Sequence, residues 1–466
     1  MAERFDDLAV RMDPEAQRRL GDLLVARLNA GKTSRLDHGG DPGGSAESAT
    51  VVGLTSTDRR LPRRIRIVLA VAAAVVLVAA LVIGVRHRHD NRPVSPTPTT
   101  APSAGPLGPA QPATGSPVTI GFVSDGAAGA DAGAAEIVAA QAAVRYVNEH
   151  LGGIAGHPID LTLCSTNQTT SGAAACADQM IAKNAVAVVH NISPAGTTIE
   201  ASLAGAKIPT FGFGGAADHI LTNAIGGGAV PVKQAIDQGV KSAGVVVTNG
   251  FIRSLLEPWF TTAGITSDYA IVQGDSTDIV SVLQPMLAKN PAQVDLFVDS
   301  ALCFKTLAAV KSLGYTGTIY VIPNCVDPSG GTRVPGGLAG VKEIANYSTD
   351  PNDPEVKLYN AVIAAYATGT NPDSLFVAQG YGAVLGLRRG LNDLAGDVTP
   401  SSVRDALHTM TPQPHPLIGG ATFQCSGTLV PGYSNHCTTA ILVATLDAQG
   451  VAHDYQLVDV TGIVKA

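Results

Sequence analysis

Six cysteines are the residues of this chain with the most definite chemistry. They form three pairs that are close in sequence: Cys164 and Cys176, Cys303 and Cys325, Cys425 and Cys437. None has CxxC spacing, which argues against a zinc site or a thioredoxin-type redox site. An even number of cysteines, all beyond residue 116, indicates three disulfides formed in an oxidising compartment. Buried free thiols are the alternative.

Two further groups of residues have part of an enzyme or cofactor motif. One has the residue types of a catalytic trio: His190, Ser193 and Asp299. The other has the spacing of a dinucleotide fingerprint: Gly212, Gly214 and Ala217. The chain has no Gly-x-Ser-x-Gly elbow, and the residues through the three glycines at 226–228 do not predict the helix that the fingerprint requires. With no HExxH motif or histidine cluster either, we expect no enzyme, no cofactor and no metal.

Strands and helices alternate from residue 117 onward. Apolar runs predict strands near residues 118–123, 159–163, 186–189, 208–211, 244–248, 268–272, 294–298 and 318–322. Amphipathic runs predict helices near 133–151, 171–183, 197–206, 232–242, 252–263, 277–289, 302–314, 353–368, 375–395 and 400–408, and a strand-rich tail covers 418–460. Repeated βαβ units predict parallel sheets covered by helices, with ligands beyond the carboxyl ends of the strands. Two such runs, divided near residue 243, predict two α/β lobes.

The distribution of charge excludes nucleic acid as a partner. The 466-residue chain has a formal net charge of −7, and residues 117–466 carry 16 basic against 27 acidic side chains. A domain with this acidic excess repels phosphate backbones.

One apolar segment precedes the predicted lobes. Residues 67–85 contain no charged side chain and lie between Arg66 and Arg86. A helix of this length spans about 28 Å, close to the thickness of the hydrocarbon core of a bilayer. No cleavage site for a signal peptide follows, which favours a retained signal anchor over residues 65–86.

The flanks of this anchor predict its orientation. Five arginines precede the segment and three follow it, which places the N-terminus in the cytoplasm and the cysteine-containing domain outside. Residues 1–64 are then a cytoplasmic tail, mostly disordered, with one short amphipathic helix. Residues 87–116 are a Pro/Thr/Ser-rich linker.

Several motifs of the domain at 117–466 are those of a known family. They are Gly121-Phe122-Val123, Ala143-Val144-Arg145-Tyr146-Val147-Asn148, the turn from Gly152 to Ile159, Leu313-Gly314-Tyr315 and Gly380-Tyr381-Gly382-Ala383. With this spacing the domain resembles the type I periplasmic binding proteins, specifically their leucine/isoleucine/valine-binding branch. The resemblance implies two hinged lobes and three crossings of the chain, near 241–244, 343–350 and 410–418. Lobe 1 then comprises about 117–242 and 350–410, and lobe 2 about 243–349 and 411–466.

The resemblance also implies where a ligand binds. Family members hold an amino acid with two loops of lobe 1, which are residues 191–196 and 212–217 in this chain. Residues that follow strands of lobe 2 contact the ligand from the other side. The candidate residues are Ser193, Ala195, Gly196, Gly214, Gly215, Ala216, Asn249, Phe251, Asp299 and Asn324. Where amino-acid binders have hydroxyls, this chain has Pro194 or Ala195 and Ala216, so backbone N–H groups are the expected anchors. Alternatively, Ser193, Asn249 and Asp299 only cap helices, and the glycines only form turns.

Three functions are compatible with these features. The first is a membrane-anchored binding or sensing protein that closes its lobes on a small polar or amino-acid-like solute. A signalling partner then recognises the closed form. The second is the substrate-binding component of an ABC-type amino-acid importer, which docks on a permease. The third is a degenerate interaction module that binds no solute.

Overall fold

The computed structural model describes residues 105–126, 131–222, 224–274, 276, 278–326, 330–430 and 432–464. The predicted tail, the anchor over 65–86 and most of the linker lie outside these residues. Within the described ranges, no helix combines the length and hydropathy needed to cross a membrane.

The secondary structure follows the predicted alternation of strands and helices. The helices are α1 (Asp131–His150), α2 (Thr170–Ala182), α3 (Gly196–Gly205), α4 (Ala224–Gln238), α5 (Gly250–Thr262), α6 (Ile279–Leu287), α7 (Ser300–Ser312), α8 (Gly330–Arg333), α9 (Pro354–Tyr366), α10 (Leu375–Gly390) and α11 (Pro400–Thr409). The strands are β1 (Val118–Ser124), β2 (Ile159–Ser165), β3 (Ala187–His190), β4 (Thr210–Gly212), β5 (His219–Ile220), β6 (Ser242–Val247), β7 (Thr266–Ile271), β8 (Gln293–Phe297), β9 (Thr318–Val321), β10 (Lys342–Ala345), β11 (Gln413–Pro414), β12 (Thr422–Phe423), β13 (Ala440–Leu446) and β14 (Ala452–Asp459).

Lobe 1 is built on a five-stranded parallel sheet. Its strand order is β2-β1-β3-β4-β5. Helices α1, α9, α10 and α11 contribute to one continuous core with β1, β3 and β4. Helix α10 packs closely because it lacks side chains where it touches its neighbours: a Cβ at Gly380 would lie 2.2 Å from the carbonyl oxygen of Glu136, and one at Gly386 would lie 2.3 Å from Leu221. The glycines of the family motif therefore allow a close helix–helix contact.

Lobe 2 is built on a seven-stranded mixed sheet with the order β14-β13-β10-β9-β8-β6-β7. Strands β6 to β10 are parallel, whereas β13 and β14 are antiparallel to their neighbours. The antiparallel pair is the predicted strand-rich tail: a short turn joins β13 to β14, which forces the chain to reverse. The two-lobed α/β fold is thus present, with one sheet wholly parallel and the other mainly so.

Two of the predicted lobe boundaries require correction. Helix α4 packs in lobe 2, because Ala229 and Val232 share a core with Val245, so the first crossing lies between β5 and α4 and not near 241–244. Phe423 and Cys437 belong to the core of lobe 1, whereas Val430 between them packs in the core of lobe 2, so the last crossing lies between Phe423 and β13 and not at 410–418. Lobe membership depends on long-range packing, which strand and helix periodicity does not encode.

Helix α4 also corrects the expectation that residues 226–228 are not helical. Three consecutive glycines are unfavourable in an isolated helix. Here the helix lies against its partner helix: a Cβ at Gly228 would be 2.6 Å from Leu256 Cδ2 and 3.0 Å from the ring of Trp259. Tertiary packing therefore overrides the low intrinsic propensity.

The three predicted disulfides are present. Cys164 is bonded to Cys176, Cys303 to Cys325, and Cys425 to Cys437, and no described cysteine is free. The first joins β2 to α2, and the second joins α7 to the 3₁₀ turn Pro323–Cys325. Each disulfide closes a loop near the carboxyl ends of the strands.

Candidate functional site

A buried polar network holds the two predicted ligand loops of lobe 1 together. The Asn191 amide donates to Glu136 Oε1 at 2.6 Å, and its oxygen accepts from the Phe213 N–H at 2.7 Å. Ser124 Oγ donates to Glu136 Oε2 at 2.7 Å. Burial raises the pKa of Glu136, although the hydrogen bonds from Asn191 and Ser124 oppose the effect. The network ties the loop after β3 to the start of the loop after β4.

The Ser193 hydroxyl is hydrogen-bonded to its own loop and to the end of β1. Its hydroxyl donates to Asp125 Oδ1 at 2.6 Å and accepts from the Ala195 N–H at 3.1 Å. Asp125 Oδ1 also accepts from Thr166 Oγ1 at 2.7 Å, so this carboxylate connects the ends of β1, β2 and β3. Ser193 therefore orients the loop that a solute would meet, and Ala195, without a side-chain cap, begins α3.

The structure brings Gly196 and Ala216 together. A Cβ at Gly196 would lie 3.3 Å from the Ala216 Cβ, so the start of α3 touches the loop after β4. Gly215 has a φ of +95°, and a Cβ there would lie 2.7 Å from the Asn191 carbonyl oxygen. Gly214 lies against Ile192. These glycines serve turn geometry and at the same time leave backbone groups uncovered by side chains.

The imagined catalytic trio is not assembled. Nε2 of the buried His190 is paired with Glu200, which also accepts from Thr210 Oγ1 at 2.9 Å. Ser193 is bonded to Asp125, and Asp299 lies in lobe 2. Each member has a different partner.

In lobe 2, two of the predicted residues act as helix caps. Asn249 Oδ1 accepts from the Ile252 N–H at 3.0 Å at the start of α5, and Asp299 Oδ1 accepts from the Leu302 N–H at 3.1 Å at the start of α7. Phe251, in the first turn of α5, is 70% exposed. Asn324 lies in the 3₁₀ turn after β9, and its side chain is outside the described part of the structure.

A cavity of about 280 Å³ lies where the two lobes meet at the second crossing. Lobe 2 contributes the ends of β9 and β14 and Glu343 of β10, and the crossing and the start of α10 contribute the other wall. Its lining residues are Pro323, Val326, Glu343, Tyr347, Thr349, Pro351, Asp373, Leu375, Gly450, Val451, Ala452 and Tyr455. None of the nine predicted site residues with described side chains is among them.

The polar groups of this cavity are perturbed by burial. Glu343 is 8% exposed, and burial raises the pKa of its carboxyl to about 8. Burial also raises the pKa of the Tyr347 and Tyr455 hydroxyls, the latter to about 12, and nearby Glu343 adds to both shifts. Tyr455 and Thr349 hydrogen-bond through their hydroxyls at 2.8 Å. Sequence reasoning missed Glu343, which lies between Lys342 and Ile344 in the short strand β10 and belongs to no recognisable motif.

Comparison with known proteins agrees with this geometry. Residues 117–434 match the family model described as periplasmic binding protein. A comparison with curated proteins finds no match.

Solved structures of the same fold include proteins with different ligands. One is a branched-chain amino acid transporter substrate binding protein from Streptococcus pneumoniae in complex with isoleucine (18% identity, TM-score 0.56, 73% of this chain and 99% of that one). Another is a solute binding protein of an ABC transporter from R. palustris in complex with 4-hydroxybenzoate (14%, 0.57, 74% and 95%). A third is a fatty acid ABC transporter substrate-binding protein from Thermomonospora curvata (14%, 0.57, 77% and 95%).

The matched family model covers most of both lobes and the first two crossings, and it ends before β13. It confirms the family that the sequence motifs predicted, and it supports a binding role rather than an enzymatic one. The chain belongs to the periplasmic binding protein family, of type I.

Proposed function

We propose that this chain is a membrane-anchored, extracytoplasmic binding protein that closes its two lobes on a small polar or amino-acid-like solute. The observation that carries the proposal is the cavity between the lobes, to which both contribute walls next to a crossing of the chain. Three crossings with a small buried cluster between them, Ala345, Ile418, Ala421 and Leu442, form a hinge about which such lobes can move.

The proposed solute site is a separate part of the gap between the lobes. It is formed by the ten predicted residues from Ser193 to Asn324, of which none with a described side chain lines the cavity. In lobe 1, the loops that carry Gly196, Gly215 and Ala216 offer backbone N–H groups to an anionic group such as a carboxylate. Two large apolar side chains are exposed near the strand ends, Ile192 at 66% and Phe251 at 70%. Exposed apolar groups of this size are typical of ligand sites, and they favour a solute with an apolar portion.

The anchor over residues 65–86 favours sensing, because a carrier that delivers solute by diffusion does not need a retained helix and a cytoplasmic tail. The tail has no recognisable signalling domain, so a sensing role requires a partner protein. Delivery to an ABC permease is the second candidate, and it is favoured by the transporter substrate-binding proteins among the solved structures of the same fold. A module that binds no solute is the third.

A solute screen on the full chain in detergent tests the proposal. At a hundred times its Kd, a ligand stabilises the folded state by about 2.7 kcal/mol, which a melting scan detects. Small-angle scattering of the same sample should show a smaller radius of gyration with ligand. If no carboxylate-bearing, aromatic or aliphatic solute shifts the melting curve, the module that binds no solute replaces the proposal.

A matched pair of variants locates the site. Phe251→Ala removes an exposed side chain at the proposed site, whereas Ile236→Ala removes one that is 45% exposed on α4. We expect Phe251→Ala to weaken ligand binding at least fivefold and Ile236→Ala to leave it unchanged, with both melting temperatures close to that of the parent. Equal affinity for both variants places the site elsewhere.

Accessibility of a C-terminal tag to protease on intact cells tests the orientation of the anchor.

A further inference from the structure

Glu343 has an environment that a structural role does not explain. It lies in the interior of β10 and is 92% removed from solvent. No described residue donates a hydrogen bond to its carboxyl group or forms an ion pair with it. Buried carboxyl groups in folded proteins are ordinarily hydrogen-bonded or paired, because burial without a partner is costly. This one instead lines the interlobe cavity.

The other groups around the cavity leave the carboxyl without a cationic partner. Among the described residues that line it, two are acidic, Glu343 and Asp373, and none is basic. The nearest basic residue in sequence, Lys342, lies on the opposite face of β10 and donates to Thr445 Oγ1 at 2.7 Å. Glu343 shares the cavity with Tyr347 and Tyr455, and Asp373 and Asp350 are close enough to these tyrosines to raise the pKa of their hydroxyls.

The strand order brings Glu343 and Tyr455 into the same part of the sheet. Glu343 is paired with Ala444 of β13, and opposite Ala444 the register of β14 is irregular: Asp454 and Tyr455 both lie between the pairs Val443–Gln456 and Thr445–His453. Tyr347 approaches from the crossing, where its ring meets Phe213 of lobe 1 edge-on at 6.5 Å. A positively charged group in the cavity would thus meet a carboxyl group and the rings of two tyrosines, an arrangement that favours ammonium ions.

We propose that the cavity around Glu343 binds the protonated amine of a small cationic solute, with the carboxyl of Glu343 as the ion-pair partner and Tyr347 and Tyr455 as its aromatic walls. This inference rests on the proposed function, because the solute must enter between the two lobes. It adds the chemical class of the group that binds in one part of the gap, a protonated amine. The volume of about 280 Å³ limits the occupant to a small molecule.

Binding of a cation changes the protonation of the carboxyl. Because burial raises the pKa of Glu343 to about 8, the empty site holds a neutral acid at pH 7, and an ammonium ion favours the ionised form. Binding therefore releases close to one proton at pH 7. Its apparent affinity rises about tenfold per pH unit below pH 8 and levels off above it.

Three probes with one ring and different charges test the proposal on the full chain in detergent. They are tyramine, its neutral alcohol 4-(2-hydroxyethyl)phenol and its acid 4-hydroxyphenylacetate, measured by titration calorimetry at pH 7 in two buffers of different ionisation enthalpy. We expect tyramine to bind at least tenfold tighter than the other two, with release of nearly one proton. Equal binding of the three, no binding of tyramine, or no proton release overturns the proposal.

Variants assign the effect to the named carboxyl. Glu343→Gln keeps the shape of the side chain and should weaken tyramine binding at least tenfold and abolish proton release. Glu257→Gln removes an exposed carboxylate from α5 and should change neither. Unchanged tyramine affinity in Glu343→Gln contradicts the assignment, and the three-probe comparison on the parent chain stands whether or not the variant folds.

The outcomes separate this inference from the proposed function. If other solutes close the lobes in scattering while tyramine does not bind, the inference fails and the proposed function stands. If tyramine binds with proton release and no solute changes the radius of gyration, the inference stands and lobe closure fails.

Discussion

At the level of single residues, the polar groups of lobe 1 act mainly on one another. The Asn191 side chain is 4% exposed and bridges Glu136 to the backbone of Phe213, and Ser193 bridges Asp125 to the start of α3. The two loops of the proposed solute site are thus supported by a layer of buried hydrogen bonds, which holds them in a fixed geometry.

The first prediction concerns Asn191. In Asn191→Ala, the Phe213 N–H loses its acceptor and Glu136 loses a donor, so the free energy of unfolding should fall by about 3 kcal/mol. Asn352→Ala is the control: Asn352 is exposed, its side chain makes no hydrogen bond with the described residues, and the free energy of unfolding should fall by less than about 0.5 kcal/mol. Denaturant unfolding measures both, and similar losses in the two variants would show that the network has no stabilising role.

At the level of helices and strands, side-chain caps determine where helices begin, and close packing determines where helices lie. Asn249 and Asp299 were predicted as ligand residues with capping as the alternative, and both do cap helices. Helices α4 and α10 both contain glycines where a neighbour comes within 3 Å of a Cβ position.

The second prediction tests the cap of α5. Asn249→Ala leaves the Ile252 N–H without its side-chain acceptor and should lower the free energy of unfolding by about 1 kcal/mol, whereas Asn249→Ser retains an acceptor and should lose less than half of that. Thermal melts of the two variants compare the effects. Equal losses would contradict a capping role.

The third prediction uses two adjacent glycines of α4. A Cβ at Gly227 would meet Ile441 at 3.6 Å, an ordinary contact, so Gly227→Ala should stabilise the protein by about 1 kcal/mol through helix propensity. A Cβ at Gly228 would overlap Leu256, so Gly228→Ala should be less stable than Gly227→Ala by about 1–3 kcal/mol. Denaturant unfolding of the pair measures the difference, and Gly228→Ala as the more stable variant would contradict the packing of α4 on α5.

At the level of the whole molecule, buried titratable groups set the pH dependence of stability. Burial raises the pKa of Asp295 and of Glu343 to about 8, and it lowers the pKa of His415 to about 4. The folded carboxyls keep protons that the unfolded chain releases above about pH 4, so their contribution to stability decreases as the pH rises toward 8. The neutral folded His415 has the opposite effect below about pH 6.5, since the unfolded histidine binds a proton there.

The fourth prediction follows from these signs. Between pH 6.5 and 8 only the carboxyls act, so the melting temperature should fall across this interval. Between pH 5 and 6.5 the single histidine offsets only one of the two carboxyls, so the melting temperature should still fall with rising pH, but less steeply. Melting scans of the full chain in detergent measure the profile, and Glu343→Gln should reduce the fall and raise stability at pH 8. A melting temperature that rises from pH 6.5 to 8 would contradict the prediction.

The sequence by itself determined the features that depend on neighbours along the chain. Alternating apolar runs predicted the strands and most helices, the cysteine spacing predicted three local disulfides, and the motifs around Gly152 and Gly380 predicted the family. Each of these follows from local periodicity, loop length or turn geometry, which a short stretch of residues specifies.

Only the tertiary structure decided features that join distant segments. Helix α4 belongs to lobe 2 because Leu256 and Trp259 of α5 cover its glycines, and Glu343 acquires its cavity because β14 and the crossing at Tyr347 lie beside β10. Asn191 finds Glu136 across two elements of lobe 1. Burial and partner identity arise from such long-range contacts, so side chains of ordinary type become site residues only when the chain has folded.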